Sequence, residues 1–310
     1  MNFQPPRTDT SGDLLADRRF GWGDAEARDG NNAAAADLFC QTLELVPDWA
    51  PCWLALGVAR QKMGDLMGAH EAFLRADALD RTGELGASLR LSTLGGPAPA
   101  TAPPAYVRAL FDQYAAGFDD HLVAGLTYRG PERLIAAMEC ACATLDRAFE
   151  FNRAIDLGCG TGLMAAALKD HVRSIIGVDL SPRMIEVAKA AGFYDQLRID
   201  DLEPFLATQP AASSDLMIAA DVFVYVGDLD GIFAQCARVI EPGGVFAFTV
   251  QRADGAGWAL GHDMRFFHSE DYLRTLAASH GFSTVEMEDL SSRKDAGVDV
   301  PGLVAVLARS

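Results

Sequence analysis

Two kinds of apolar patterning divide the chain. From residue 152 onward, short apolar runs alternate with stretches of helical periodicity. The runs at 154–157, 174–178, 197–199, 215–220 and 244–250 predict strands. The stretches reaching to about 170, at 182–191 and at about 228–239 predict helices between them. Strand and helix in this order imply an α/β domain, a mostly parallel sheet covered on both faces. After a helix at 269–280 the pattern changes: 283–290 and 303–308 read as two strands with no helix between them, an antiparallel hairpin at the sheet edge. Ahead of residue 152 the patterns are helical, at 106–127, at 131–147 and in pairs over the first ninety residues. Residues 95–105 hold four of the 14 prolines and form a semi-extended linker without a core. The expected domains are therefore 1–94, a small all-α unit, and 106–310, the α/β unit, joined by 95–105.

The first unit repeats itself. At an offset of 34 residues, Gly23 matches Gly57, Gly30 matches Gly64, Ala35 matches Ala69, Phe39 matches Phe73 and Leu45 matches Leu79. Small residues let antiparallel helices approach closely, while Trp, Leu and Phe fill the grooves between pairs. The second copy, with Trp53, Leu56-Gly57, Ala69 and Phe73, resembles the tetratricopeptide (TPR) repeat. It departs from that pattern at Arg81, which stands where the first copy has Pro47. Repeats are expected at about 19–52 and 53–86, capped by a helix at about 83–94. Two repeats are fewer than the roughly three a free-standing array needs. The apolar face they leave calls for cover, by the second domain or by another copy of the chain in a homodimer.

Composition narrows the partners. Of 310 residues, 50% are hydrophobic and 22% charged, and the net charge is −17. No cluster of Lys and Arg occurs, so nucleic acid and anionic membrane are poor partners. No apolar run reaches about 18 residues, and the first residues lack the apolar core of a signal peptide, so a cytoplasmic protein is expected. The six cysteines show no CxxC pair and no zinc spacing, so free thiols and no metal are expected.

The chemistry sits where the first strand of the α/β unit ends. Asp156-Leu157-Gly158-Cys159-Gly160-Thr161-Gly162 is a strand, a glycine turn and a helix start. Glycine permits positive φ and close approach of a ligand to the backbone. The crevice beyond the carboxyl ends of the strands is where α/β folds bind ligands. The spacing is GxGxG rather than GxGxxG, and the acid ahead of it suits a cationic ligand better than a pyrophosphate. A second acid, Asp179, ends the next strand, where a carboxylate can accept both ribose hydroxyls. A third, Asp201, follows the third strand and equally suits a helix cap.

These residues, with the closing hairpin, resemble class I methyltransferases dependent on S-adenosylmethionine, over about residues 105–310. With its N-terminal repeats, the whole chain resembles the bacterial family described as predicted TPR-repeat methyltransferases; segments 111–122 and 220–229 share in that likeness. The resemblance implies a Rossmann-like class I sheet with an antiparallel C-terminal hairpin, and it implies site roles. Gly158, Cys159, Gly160 and Gly162 would line the methionine part and ribose, and Asp156 would hold the cofactor's amino group. Asp179 would bind the ribose, with Leu180 and Met184 on adenine, while Asp201 and Leu202 would read the adenine edge. The Ala220 carbonyl would accept from the cofactor ammonium, Tyr114 would cap the cofactor, and Arg129 would pair with its carboxylate. Met184 equally suits plain core, and Arg129 a solvated helix start.

Methyl transfer needs a base only if the acceptor loses a proton. Candidates near the acceptor are His121, His262, His268 and Tyr225, the last just past the fourth strand; a histidine near the pocket titrates near neutral pH. Each histidine singly also suits a structural role. No Asn/Asp-Pro-Pro-aromatic sequence follows the fourth strand, which disfavours methylation of nucleic-acid amino groups. Three readings follow: a small-molecule methyltransferase whose repeats dock, dimerise or regulate; a protein methyltransferase recruiting its substrate through the repeats; and a non-catalytic cofactor-binding adaptor. Reduction with a nicotinamide cofactor is a further alternative that GxGxG and the terminal hairpin disfavour.

Overall fold

In a computed structural model of the chain, residues 10–115, 129–291, 294–295 and 298–310 are described. The chain forms two compact units that divide between Leu110 and Phe111.

The first unit is helical: α1 (Leu14–Arg28), α2 (Asn32–Leu45), α3 (Ala50–Lys62), α4 (Leu66–Leu79) and α5 (Ala87–Thr93), with the start of α6 (Pro104–Tyr114). Each of α1 to α4 packs on the next, and α4 on α5. The offset of 34 residues reappears as a contact. A Cβ on Gly23 would stand 2.6 Å from the Phe39 ring, and one on Gly57 would run into the Phe73 ring. Gly30 and Gly64 turn the chain between paired helices with φ of 85° and 81°, values that L side chains resist. Ala35, Ala69 and Phe73 are fully buried, so small residues on one helix and a ring on the next set the spacing twice. The cap helix is shorter than expected, α5 alone. The segment 95–105 lies wholly within the first unit and is not a bare linker: Ala102 is buried, and Pro103 packs against Gly83.

The second unit begins with the end of α6 and α7 (Gly130–Thr144); the remainder of the helix expected at 106–127 lies outside the described residues. Then come β1 (Ala154–Leu157), α8 (Leu163–Leu168), β2 (Ile175–Asp179), α9 (Pro182–Ala191), β3 (Gln196–Ile199), α10 (Leu202–Thr208), β4 (Ser214–Ala219), α11 (Asp230–Val239), β5 (Ile240–Arg252), β6 (Trp258–Leu260), β7 (Phe266–His268), α12 (Glu270–Ser279), β8 (Phe282–Asp289), the two-residue strands β9 (Lys294–Asp295) and β10 (Val298–Asp299), and β11 (Gly302–Arg309). The sheet runs β3-β2-β1-β4-β5-β11-β8, with β7 beside the end of β5 and β6 beside β7. The first five strands in this order are parallel, and β11 runs antiparallel to both its neighbours, β5 and β8. The terminal hairpin is present, but its last strand is internal: β11 lies between β5 and β8, leaving β8 at the edge.

Alternation along the strands fills both faces. Phe246, Phe248 and Val250 of β5 join Leu303, Ala305 and Leu307 of β11 in a core with α10, α11 and α12. Val245 and Ala247 join Val304 and Val306 in a second core with α7 and α8. Burying each large side chain contributes about 1.5–3 kcal/mol. At the far end of the sheet, buried Asp215 accepts the backbone N–H groups of Asn152 and Arg153, at 2.7 Å each, tying the start of β4 to the start of β1.

Two alanine substitutions in one helix separate packing from helix propensity. Gly21→Ala meets open space and should stabilise the chain by about 0.5–1 kcal/mol. Gly23→Ala overpacks Phe39 and should destabilise it by about 1–3 kcal/mol. Urea melts followed by tryptophan fluorescence would read both; equal shifts for the pair would refute the close helix contact.

Candidate functional site

The site is built on the turn between β1 and α8. Gly158, Gly160 and Gly162 all take left-handed φ, at 64°, 53° and 99°. Each serves a different need. A Cβ on Gly158 would strike Val222, and one on Gly162 would press on the Tyr194 ring. Gly160 has open space where a Cβ would stand, a cradle for a ligand. The loop is pinned from the neighbouring strand: the Gly160 N–H donates to Asp179 Oδ2 at 2.9 Å, and the Ser181 N–H donates to Asp179 Oδ1 at 2.8 Å. Cys159, almost buried, donates its N–H to the Val178 carbonyl, and burial pushes its thiol well above the usual range.

Two carboxylates therefore face one another across adjoining strand ends. Asp156 is 1% exposed. Burial pushes it up to about 7; a hydrogen bond from Tyr194 opposes this and the charge of Asp179 adds to it. Burial likewise pushes Asp179 up to about 6, against the N–H groups of Ser181 and Gly160 and with help from the charge of Asp112. Asp112, near the end of α6, accepts from Ser181 Oγ at 2.5 Å, and its carbonyl accepts from Arg183. Ser181 in turn caps α9 by accepting the Met184 N–H. The segment leading into the sheet is thus tied to the loop that carries Asp179.

The remaining predicted positions are distributed unevenly. Leu180 is half-buried beside Asp179. Met184 is fully buried, a core residue of α9 rather than an open wall. Asp201 caps α10, accepting the Leu202 N–H at 2.7 Å; that N–H is engaged within the turn instead of pointing to a ligand. Ala220 follows the last residue of β4, and Tyr114 ends α6, both half-buried. Arg129 is exposed at the head of α7.

The candidates for the acceptor side separate further. His121 lies outside the described residues. His262 is exposed in the turn between β6 and β7. His268 has no exposed surface; its ring is 3.0 Å from the Gly227 carbonyl through Nε2 and stacks on Tyr272. Burial pushes it down to about 4, so it is a neutral structural donor near pH 7 and not a base. Tyr225 stands in a 3-10 turn, Phe223–Tyr225, after β4, against the edge of Phe111 with ring centroids 5.5 Å apart. Burial raises its hydroxyl above the ordinary range, while Arg265, hydrogen-bonded to it, opposes this. It is therefore a protonated donor or acceptor near neutral pH.

Reasoning from sequence missed several residues. Tyr194 donates to Asp156 Oδ2 at 2.7 Å; Asp221, with φ of 57°, gives its N–H to Thr249 Oγ1 at 2.8 Å and accepts the Thr249 hydroxyl in return. Gln251, on the same face of β5 as Thr249, is 4% exposed with neither amide atom hydrogen-bonded. A non-glycine residue in left-handed conformation at a strand end has no sequence signal except its residue type: Asp tolerates it better than most. Among the described residues no group of His, Cys, Asp and Glu has the arrangement of a metal site, and no helix is long and apolar enough to cross a membrane.

Comparison with known proteins agrees with this geometry. Residues 155–248 match the family model described as Methyltransferase domain. The ubiquinone biosynthesis O-methyltransferase of Xylella fastidiosa is 33% identical over 105 residues, which cover 32% of this chain and 42% of that protein. Its counterpart in Coxiella burnetii is 35% identical over 103 residues, covering 32% and 43%. The chain thus spans less than half the length of these relatives. The crystal structure of the 1,6-didemethyltoxoflavin-N1-methyltransferase of Burkholderia thailandensis, with 1,6-didemethyltoxoflavin and S-adenosylhomocysteine bound, superposes with a TM-score of 0.50 at 19% identity, covering 69% of this chain and 93% of that one. Residues 155–248 are thus similar to a methyltransferase domain, and the α/β unit has the Rossmann-like fold of class I methyltransferases.

Proposed function

We propose that the chain transfers the methyl group of S-adenosylmethionine to a small-molecule acceptor. The observation that carries this reading is the pair of carboxylates, buried Asp156 and half-buried Asp179, beside a left-handed glycine turn. The pair fits this cofactor by chemistry. Asp156 has no ion-pair partner among the described residues, and an ammonium group supplies one. Asp179, oriented by two backbone N–H groups, keeps lone pairs for the two hydroxyls of a ribose. Gly160 leaves the space between them open.

The cofactor supplies, when bound, an electrophilic methyl carbon on a sulfonium. The protein's part is binding and orientation. In this reading the Ala220 carbonyl accepts from the cofactor's ammonium, exposed Arg129 pairs with its carboxylate, and Tyr114 at the end of α6 caps it. The open oxygen of Asp201 is left for the adenine amino group. On the acceptor side, Tyr225 with Arg265, the Asp221–Thr249 pair and the Gln251 amide give hydrogen bonds at the ends of β4 and β5. An acceptor with adjacent polar groups on a small ring suits such a set, and the small-molecule enzymes among the relatives support the class. His121 stays a candidate base for an acceptor that loses a proton.

For the first unit we propose two tetratricopeptide-like repeats capped by α5. The twice-used contact of glycine with phenylalanine and the paired left-handed glycines support this. Docking of a protein partner, or a homodimer, is the role such repeats would serve; light scattering that gives a monomer mass at every concentration would refute the dimer.

Calorimetric titration with S-adenosylhomocysteine tests the cofactor site. Asp179→Ala should weaken binding tenfold or more, through loss of a charged acceptor worth about 1.5–3 kcal/mol, and Asp179→Asn should fall between it and the unaltered chain. Equal affinity for all three would refute the role of Asp179. Incubation of the chain and a cell extract with methyl-labelled S-adenosylmethionine tests the acceptor. Label is expected in small organic molecules; label confined to a protein band would overturn the small-molecule reading.

A further inference from the structure

Tyr194 enters the site from an unexpected direction. It lies two residues past Gly192, the left-handed C-cap of α9, in the short segment that leads to β3. Its ring passes beneath the glycine turn. A Cβ on Gly162 would stand 3.2 Å from its Cε2, and a Cβ on Gly177 in β2 would stand 2.8 Å from its Cε1. Glycines on two separate elements therefore leave room for one phenol. A ring that merely filled space could end in hydrogen, as phenylalanine does. This one ends in a hydroxyl aimed at Asp156 Oδ2, 2.7 Å away.

The surroundings of Asp156 give that bond its meaning. The titratable groups that face it are Tyr194 from the segment after α9, Cys159 from the turn and Asp179 from the end of β2. Its register partners across the sheet, Gly177 on β2 and Ile218 on β4, carry no charge. A carboxylate removed from water thus has one neutral donor, a thiol and another anion around it, and no cation among the described residues. Such a group is costly to ionise without a countercharge.

We propose that Tyr194 is a positioning residue for the cofactor: it aims the Asp156 carboxylate and donates to it, so that the ligand's ammonium group is the missing countercharge. This rests on the reading of Asp156 as the ammonium-binding residue. A hydrogen bond to the charged form of a carboxyl favours that form. Tyr194 thereby offsets part of what burial and the charge of Asp179 do to Asp156. Below about pH 7 the Asp156 carboxyl carries a proton, and binding of the ammonium group expels it to solvent. Binding is then linked to pH: it weakens as pH falls through the carboxyl's titration and is level above it. Removal of the phenol hydroxyl moves that window upward, because the donor that favoured the charged form is gone.

The test is calorimetric titration of S-adenosylhomocysteine into the full chain, into Tyr194→Phe and into Asp156→Asn, between about pH 5.5 and pH 8.5, where Lys and Arg stay charged. Phenylalanine keeps the ring under the turn, so the packing that Gly162 and Gly177 make room for is retained. In the unaltered chain, affinity should be level above about pH 7 and fall by up to tenfold per pH unit below it. In Tyr194→Phe the break should move up by roughly half a pH unit or more, with affinity at the alkaline end within about threefold of the unaltered chain. Asp156→Asn should bind more weakly and lose the upper break, keeping only the lower one that belongs to Asp179 at about 6. Tyr194→Phe weakening binding equally at every pH would overturn the proposal, since loss of a donor that favours the charged carboxylate weakens binding only where that carboxyl is protonated. So would an unshifted break. Absence of binding by the unaltered chain at any pH would instead strike the cofactor reading itself, and this role with it.

Discussion

The hydrogen bond from the Gly160 N–H to Asp179 carries the pairing of β1 with β2 past the ends of both strands into the glycine turn. A strand that ends in left-handed residues turns its N–H groups away from the ladder, and each then needs another partner. Asp179 meets that need for Gly160 and, through its other oxygen, for Ser181. The same Ser181 bonds Asp112 and caps α9. Loop, second strand, following helix and the end of α6 thus share one chain of hydrogen bonds. A change at any link alters the direction in which the Asp179 carboxylate presents its free lone pairs.

That economy has an electrostatic cost. Asp156, Asp179 and Asp112 stand close together in a protein that already carries a net charge of −17. Buried like charges raise one another's pKa, and the cost is tolerable only if hydrogen bonds or a bound cation offset it. Backbone N–H groups offset it for Asp179, and the Tyr194 hydroxyl does so in part for Asp156. The glycine turn is what lets those donors approach. Backbone conformation and charge are therefore one problem here, solved at Gly158, Gly160 and Gly162 together.

Much of this was legible in the sequence where a local signal marks the element. The bounds of β1 and α9 follow directly: four buried residues before a glycine, and Ser181-Pro182 at one end with Gly192 at the other. β5 begins earlier than expected because Glu241-Pro242-Gly243-Gly244 reads as a turn, yet pairing continues past it with a shift in register between Ser214 and Leu216. β6 and β7 have three residues each, too few for a period of two to show. The acids and glycines of the site were legible because turn chemistry limits which residues stand there. Tyr194, Asp112 and Gln251 were not, because their partners or neighbours come from distant parts of the chain: the Tyr194 bond spans 38 residues and that of Asp112 spans 69. Only a fold brings such pairs together, and no periodicity announces them.

The two sides of the site differ in kind. On the side proposed for the cofactor, two carboxylates lie near their titration range with no cation paired to them among the described residues. On the side proposed for the acceptor, burial makes His268 a neutral ring held by the Gly227 carbonyl and keeps Tyr225 protonated, so neither is a free base near neutral pH. Asp221 is held in a left-handed turn by Thr249, which spends backbone strain to fix a side chain at the end of β4. A displacement on a reactive methyl carbon asks for this division. In the proposed reaction the charge that drives the chemistry travels with the cofactor, which leaves alignment to the protein on the other side. Buried donors and acceptors with fixed directions, such as the unpaired Gln251 amide, serve alignment best, because a group that meets them wrongly leaves them unsatisfied and loses about 1–3 kcal/mol for each. Under the proposed function, selectivity for the acceptor resides in the ends of β4 and β5, independent of the glycine turn proposed to hold the methyl donor.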